Sequence, residues 1–167
     1  PVAAEGLVVE RFADGLDHPR TMFRLPNGDI LVAETNSPPR TNKGIEGWIM
    51  RNLMSKAGAA GESANRISLL RDSDKDGTVD EKFTFLDNLN SPFGMALIDD
   101  TLYVANTDAV YAYPYAEGDT KITAEGRKVA NLNARAPNNH WTRDLLASKD
   151  GKYLYISVGS NSNIGEN

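Results

Sequence analysis

The sequence predicts an all-β chain, built as part of a β-propeller. Three observations carry that expectation. Short apolar runs alternate with polar turns rich in Asn, Asp and Gly, which is the pattern of many short antiparallel strands. One order of parts recurs three times, in FADGL–DHPRTMFRLPNGDILVAET, FLDNL–NSPFGMALIDDTLYVANT and VANLN–ARAPNNHWTRDLLASKDGKYLYISVG. Each copy has a strand ending near Leu, a short polar crossing, a strand, a tight turn and a stronger strand. The step from Pro92 to Trp141 is 49 residues, close to the ~40–50 of four-stranded propeller blades.

The elements follow in order. Leu7-Val8-Val9-Glu10-Arg11-Phe12-Ala13 reads as a strand ended by Asp14-Gly15. Thr21–Leu25 and Ile30–Thr35 flank Pro26-Asn27-Gly28-Asp29, and Asn-Gly between apolar runs is the strongest short hairpin signal because both positions tolerate positive φ. Residues 36–64 interrupt the β pattern. Ser37-Pro38-Pro39 is a stiff exit, after which Ile45, Trp48, Ile49 and Leu53 fall at helical spacing, so a short helical insert is expected near 44–57. Strands resume at Asn65–Arg71, Lys82–Leu86 and Ser91–Ile98. They continue at Thr101–Asn106, Ala109–Tyr113 and Arg127–Leu132, and the chain closes on a hairpin around Lys149-Asp150-Gly151-Lys152.

At ~40–50 residues per unit the chain supplies about three blades, whereas propellers close with four or more. Residues 1–167 are therefore expected to be the N-terminal part of a single propeller domain. Its partner would be the missing C-terminal part or another copy of the chain. The chain starts at Pro1, without an initiator Met or a signal peptide, which fits a processed product.

Composition narrows the partners. With 18 Lys+Arg against 23 Asp+Glu the net charge is −5, and the absence of basic runs argues against nucleic acid. No apolar stretch approaches the ~20 residues that span a bilayer. There is no Cys, so there is neither a disulfide framework nor a thiolate site.

Two stretches carry candidate chemistry. The first is Asn138-Asn139-His140-Trp141-Thr142-Arg143-Asp144. An imidazole where a loop enters a sheet can transfer protons at neutral pH, or can simply bond loop carbonyls. The equivalent crossings of the other two units hold His18, beside Pro19, and Asn90-Ser91, and repetition gathers all three at one end of the sheets. Asn139 could orient a substrate, and Arg143 could offset charge or brace the loop; His18 is expected to be structural. The second stretch is D-x-D-x-D-G-x-x-D, made by Asp72, Asp74, Asp76, Gly77, Thr78 and Asp80. Carboxylates at alternate positions of a tight loop converge their oxygens as in calcium loops. Phe83 stands where a complete EF-hand has its bidentate Glu, so a calcium-held turn and a solvated acidic turn both remain open.

ETNSPPR (34–40), GIEGWIMRNLMSKAGA (44–59), SANRISLLRDSDKDGTVDE (63–81), LNSPFGMAL (89–97) and NNHWTRDLLASKDGKYLYISVGSNSNIGEN (138–167) resemble the glucose/sorbosone dehydrogenase family. The likeness is greater to its L-sorbosone-dehydrogenase-like branch. It implies a six-bladed propeller in the full-length protein that binds pyrroloquinoline quinone (PQQ) with Ca²⁺. It also implies oxidation of a sugar, polyol or sugar aldehyde in the periplasm or outside the cell. His140 matches the family's general base, followed by Arg143 and Asp150-Gly151-Lys152. Asn139 replaces the acidic residue that precedes the histidine in the glucose-oxidising branch, and Asn90 or Ser91 stands near that branch's glutamine. Two other readings compete: a non-catalytic carbohydrate- or protein-binding propeller, and a calcium-dependent lactonase-type propeller.

Overall fold

The structure is a computed structural model that describes residues 2–38, 62–135, 138 and 140–160. The helical insert expected near 44–57 lies outside the described residues, as does Asn139. Within them the regular structure is entirely β: ten strands in three antiparallel sheets.

The first sheet holds β1 (Pro19–Arg24), β2 (Ile30–Glu34), β3 (Arg66–Arg71) and β4 (Glu81–Leu86), in that spatial order. The second holds β5 (Met95–Ile98), β6 (Thr101–Ala105), β7 (Ala109–Pro114) and β8 (Arg127–Asn131), again as a simple meander. The third is the hairpin of β9 (Arg143–Ala147) and β10 (Leu154–Val158). Turn chemistry explains the registers. Gly28 takes φ 101°, and Asn27 Oδ1 accepts the Asp29 amide at 3.1 Å; Phe23 then faces Leu31, and Arg24 faces Ile30. Asp99 (φ 49°) and Gly151 (φ 68°) turn the other two hairpins by the same use of positive φ.

Four-stranded meanders are the units from which propellers are built. Their facing sides interdigitate here. Leu31, Ile67, Leu69 and Phe85 of the first sheet pack with Leu102, Val104 and Tyr113 of the second in one buried cluster. A smaller cluster joins Ala96, Ala105 and Val110 to Leu145 of the third. Alternation decides which side chains enter it: Arg143 and Leu145 of β9 are buried, while Asp144 and Leu146 between and beyond them face out. Among the described residues the sheets do not close on one another, and the third sheet has two strands. Its outer side leaves Leu146, Tyr153 and Tyr155 exposed.

One sequence expectation fails. Leu7–Ala13 is not a strand. The run exposes Leu7, Val8 and Val9, and Phe12 O, accepting the Val79 amide at 3.0 Å, is its bond to the sheet edge. A strand needs a neighbour that takes its backbone groups in register, and for Leu7–Ala13 the described residues show the single Phe12–Val79 bond to the sheet.

The meander gives each sheet two ends. Turns β1–β2, β3–β4, β5–β6 and β9–β10 lie at one end. The crossings that enter β1, β5 and β9 lie at the other, with the chain leaving β2, β6 and β10. The first strands stand side by side around an open cleft of about 370 Å³, lined by Thr21–Phe23, Met95–Leu97 and Asp144–Ala147.

Candidate functional site

Trp141 ties the three crossings together at the entry end. Its ring lies edge-on to Phe93 of the second crossing, with centroids 6.2 Å apart at 88°. The Arg20 guanidinium, from the start of β1, lies 5.8 Å from the indole centroid. The Trp141 backbone carbonyl accepts Thr107 Oγ1 at 3.0 Å, and that hydroxyl in turn accepts Asn138 Nδ2 at 2.8 Å. Ring faces attract cations and ring edges pack on ring faces, so one buried indole fixes groups from both neighbouring units.

The first crossing rests on a carboxylate that sequence reasoning passed over. Glu34 is fully buried at the end of β2. It takes a two-pronged bond from Arg66 (Nε 3.1 Å, Nη2 2.9 Å), the Ser68 hydroxyl and the Asp17 amide. Burial alone would raise its pKa, but the Arg66 fork and the two further donors outweigh that and hold it below the ordinary value. His18 sits in left-handed backbone (φ 48°), its carbonyl accepting Thr35 N at 3.1 Å and its Nε2 3.5 Å from Asp17 Oδ1. These are structural bonds. An acidic residue ending an apolar strand, with Arg66 and Ser68 on the next strand, was the available signal.

In the second crossing Asn90 is exposed, and its carbonyl accepts Thr107 N at 3.0 Å. Ser91 is buried at φ 47° and donates its amide to Asn65 Oδ1 at 3.1 Å. Gly94 ends the crossing and donates to Arg143 O at 2.9 Å. A Cβ there would meet Leu145 N at 2.6 Å and Asp144 Cα at 2.7 Å, so β5 and β9 approach this closely because the residue is glycine.

The third crossing holds His140, partly exposed, with Nδ1 2.6 Å from Ser160 O. A carbonyl oxygen can only accept, so Nδ1 carries the proton and Nε2 is the basic nitrogen of the neutral ring. Arg143 is 2% exposed. Its guanidinium donates to His140 O (2.5 Å), Thr142 O (3.0 Å), Asn133 O (2.7 Å) and Asn138 Oδ1 (3.2 Å). Burial without a carboxylate counter-charge pushes its pKa down, and its Nε has no hydrogen-bond partner. Arg143 therefore points into the loop rather than toward a ligand. His140, Asn138 and Arg143 are thus brought together, with Asn90 and Ser91 in the adjacent crossing.

The acidic turn lies at the opposite end, between β3 and β4. Carboxylate oxygens of Asp72, Asp74 and Asp80 lie within 4.8 Å of one another, a hard-oxygen set suited to Ca²⁺. Asp76 does not join them; its Oδ1 accepts Thr78 N at 2.7 Å. The Asp72 carboxylate also takes the Asp76 and Gly77 amides at 3.2 and 3.0 Å.

Comparison with known families matches residues 1–167 to TrAA12-like. The chain belongs to the TrAA12-like family. That match does not bear on the sorbosone-type branch expected from the sequence. Two structures of Trichoderma reesei Carbohydrate-Active Enzymes Family AA12, titled as iodide and calcium structures, superpose at TM-score 0.69 with 24% identity. Each is covered over 35% of its length, by 98% of this chain. The holo form of the pyranose dehydrogenase PQQ domain from Coprinopsis cinerea superposes at TM-score 0.61 with 17% identity, over 90% of this chain and 30% of that one. At these identities the likeness establishes the fold. The TrAA12-like chain thus spans about a third of these solved relatives. Among curated proteins none matches the chain.

Proposed function

We propose that this TrAA12-like chain is the N-terminal part of a six-bladed propeller quinoprotein that oxidises a sugar, polyol or sugar aldehyde. Residues 1–167 form about three of its blades, and the remaining part of the propeller is the principal partner. The reading places the enzyme outside the cytoplasm, in the periplasm or secreted. Among the described residues no helix is long and apolar enough to cross a membrane. Its supports are the family match over the whole chain and the fold shared with a PQQ domain.

The observation that carries the chemistry is the Nδ1 contact of His140 with Ser160 O. It fixes the tautomer in which Nε2 is the unprotonated nitrogen, the form a base acting on a substrate hydroxyl needs, at the end of the sheets where three crossings converge. The exposed Arg20 guanidinium lies 5.8 Å from the Trp141 ring centroid, donates Nε to Thr35 O at 3.1 Å and is paired with no carboxylate among the described residues, so it could meet a carboxylate of PQQ. When bound, PQQ supplies the acceptor for the hydride that leaves the substrate carbon. Asn90 is assigned to orienting substrate hydroxyls, as is Asn139, which lies outside the described residues, while Ser91 supports the second crossing. Asp72, Asp74 and Asp80 form the candidate Ca²⁺ site, with Thr78 and Asp76 shaping its loop. Because that turn lies at the far end, the ion there would act on stability and not on the reacting atoms.

The test is reconstitution of the full-length protein with PQQ and Ca²⁺, following quinone absorbance as sugars and sugar aldehydes are added. Bleaching by at least one substrate is expected. His140→Gln should cut kcat by ~10²–10⁴-fold, the span of general-base contributions, with PQQ still bound. Quinone binding that no sugar or aldehyde reduces would overturn the reading.

A further inference from the structure

Resting on the reading of His140 as the base, we propose that Gly159 and Arg143 are positioning residues that together set its tautomer and pose. The clamp has three parts. Arg143 Nη1 holds the His140 carbonyl at 2.5 Å. Ser160 O holds Nδ1 at 2.6 Å. Gly159 lets the two segments meet: a Cβ on it would lie 2.5 Å from His140 Cβ and 2.8 Å from His140 O.

The glycine is needed for space and not for conformation. Its φ is outside the left-handed region, so the backbone would accept an L side chain, yet the neighbouring crossing would not. The obstacle is Cβ and backbone of His140, which no rotamer can move aside. A side chain at 159 would therefore push the exit of β10 away from the third crossing. Ser160 O would move with it and release the Nδ1 proton. The neutral ring could then place its proton on Nε2, the atom that has to accept one.

Arg143 completes the clamp from beneath. Its fork reaches His140 O, Thr142 O and Asn133 O, joining both sides of the crossing to the first residue of β9. Four neutral acceptors around a buried cation are a costly arrangement for a mere filler. A planar fork can hold several carbonyls at fixed angles, whereas a lysine offers one point charge.

The experiment uses full-length holoprotein with ¹⁵N-labelled histidine. His140 signals are assigned by their loss in His140→Gln. In wild type the imidazole should show protonated Nδ1 in the neutral form. Gly159→Ala should shift that population toward Nε2–H and lower kcat by ~10–100-fold, the scale of an ångström misplacement, with KM within about threefold and PQQ binding unchanged. Arg143→Lys should retain charge but lower kcat with the same split. A wild-type tautomer and wild-type kcat in Gly159→Ala would overturn the clamp. Should Arg143→Lys fail to fold, Gly159→Ala still decides, because position 159 is exposed. Wild-type turnover in His140→Gln would instead overturn the base, while the imidazole signal would still judge the clamp.

Discussion

Replacing Glu34 by Gln tests whether the first crossing is held by a buried charge. The carboxylate receives four donors: two from Arg66, one from Ser68 and one from the Asp17 amide. An amide of the same shape has one acceptor oxygen and turns an NH₂ group on the remaining donors. Each lost bond to a charged group is worth about 1.5–3 kcal/mol, and breaking a buried pair costs about 3–5 kcal/mol. The Arg66 side chain is 34% exposed and can recover hydration, so about 2–4 kcal/mol is expected. Urea unfolding at pH 7 measures it, with an unchanged m-value. The pH dependence gives a second reading. The folded pKa of Glu34 lies below its unfolded value, which is about 4.3. Its contribution is therefore complete above that value and is lost as pH falls through the folded pKa. The gap between wild type and Glu34→Gln should close in that acid range. A loss below about 1 kcal/mol at pH 7, or a gap independent of pH, would refute the argument.

Two further outcomes follow from the packing and from the far end of the sheets. Gly94→Ala sets a methyl against the Leu145 amide and Asp144 Cα, backbone that cannot rotate away, and should cost about 1–3 kcal/mol. Thermal melts showing a stable Gly94→Ala would mean that β5 and β9 separate freely. Calcium should raise the melting temperature of wild type more than that of Asp74→Ala, since Asp74 supplies one of three convergent carboxylates; equal shifts would leave the turn merely solvated.

Local chemistry was legible in the sequence. The Asn27-Gly28, Asp99-Asp100 and Asp150-Gly151 turns are set by residues that tolerate positive φ, and the strands beside them follow expectation, except that β5 begins at Met95, four residues after the expected Ser91. Repetition also placed the crossings, because equivalent positions in stacked meanders share an end, and Trp141 now touches groups from the other two. Leu7–Ala13 misled because its apolar, β-branched content is a property of the segment, whereas a strand is a property of a pair. His140 and the Arg143 brace were visible as residue types; Glu34 was missed because its partners Arg66 and Ser68 are more than thirty positions away.

What stayed hidden has one physical cause: sequence spacing counts groups without counting their competitors. The D-x-D-x-D-G pattern supplies carboxylates at alternate positions, but the loop also bares amides. Asp76 turns to Thr78 N, while Asp72, Asp74 and Asp80 accept loop amides as well and still bring oxygens within 4.8 Å of one another. Gly94 and Gly159 show the same limit for sterics. In one chain a glycine reads as a turn, yet neither residue has positive φ, and each is required by a segment far away or in the neighbouring crossing. The pose of the candidate base therefore depends on an absent side chain. Only the assembled sheets reveal that dependence, since the clash it avoids is with His140, nineteen positions earlier in the chain.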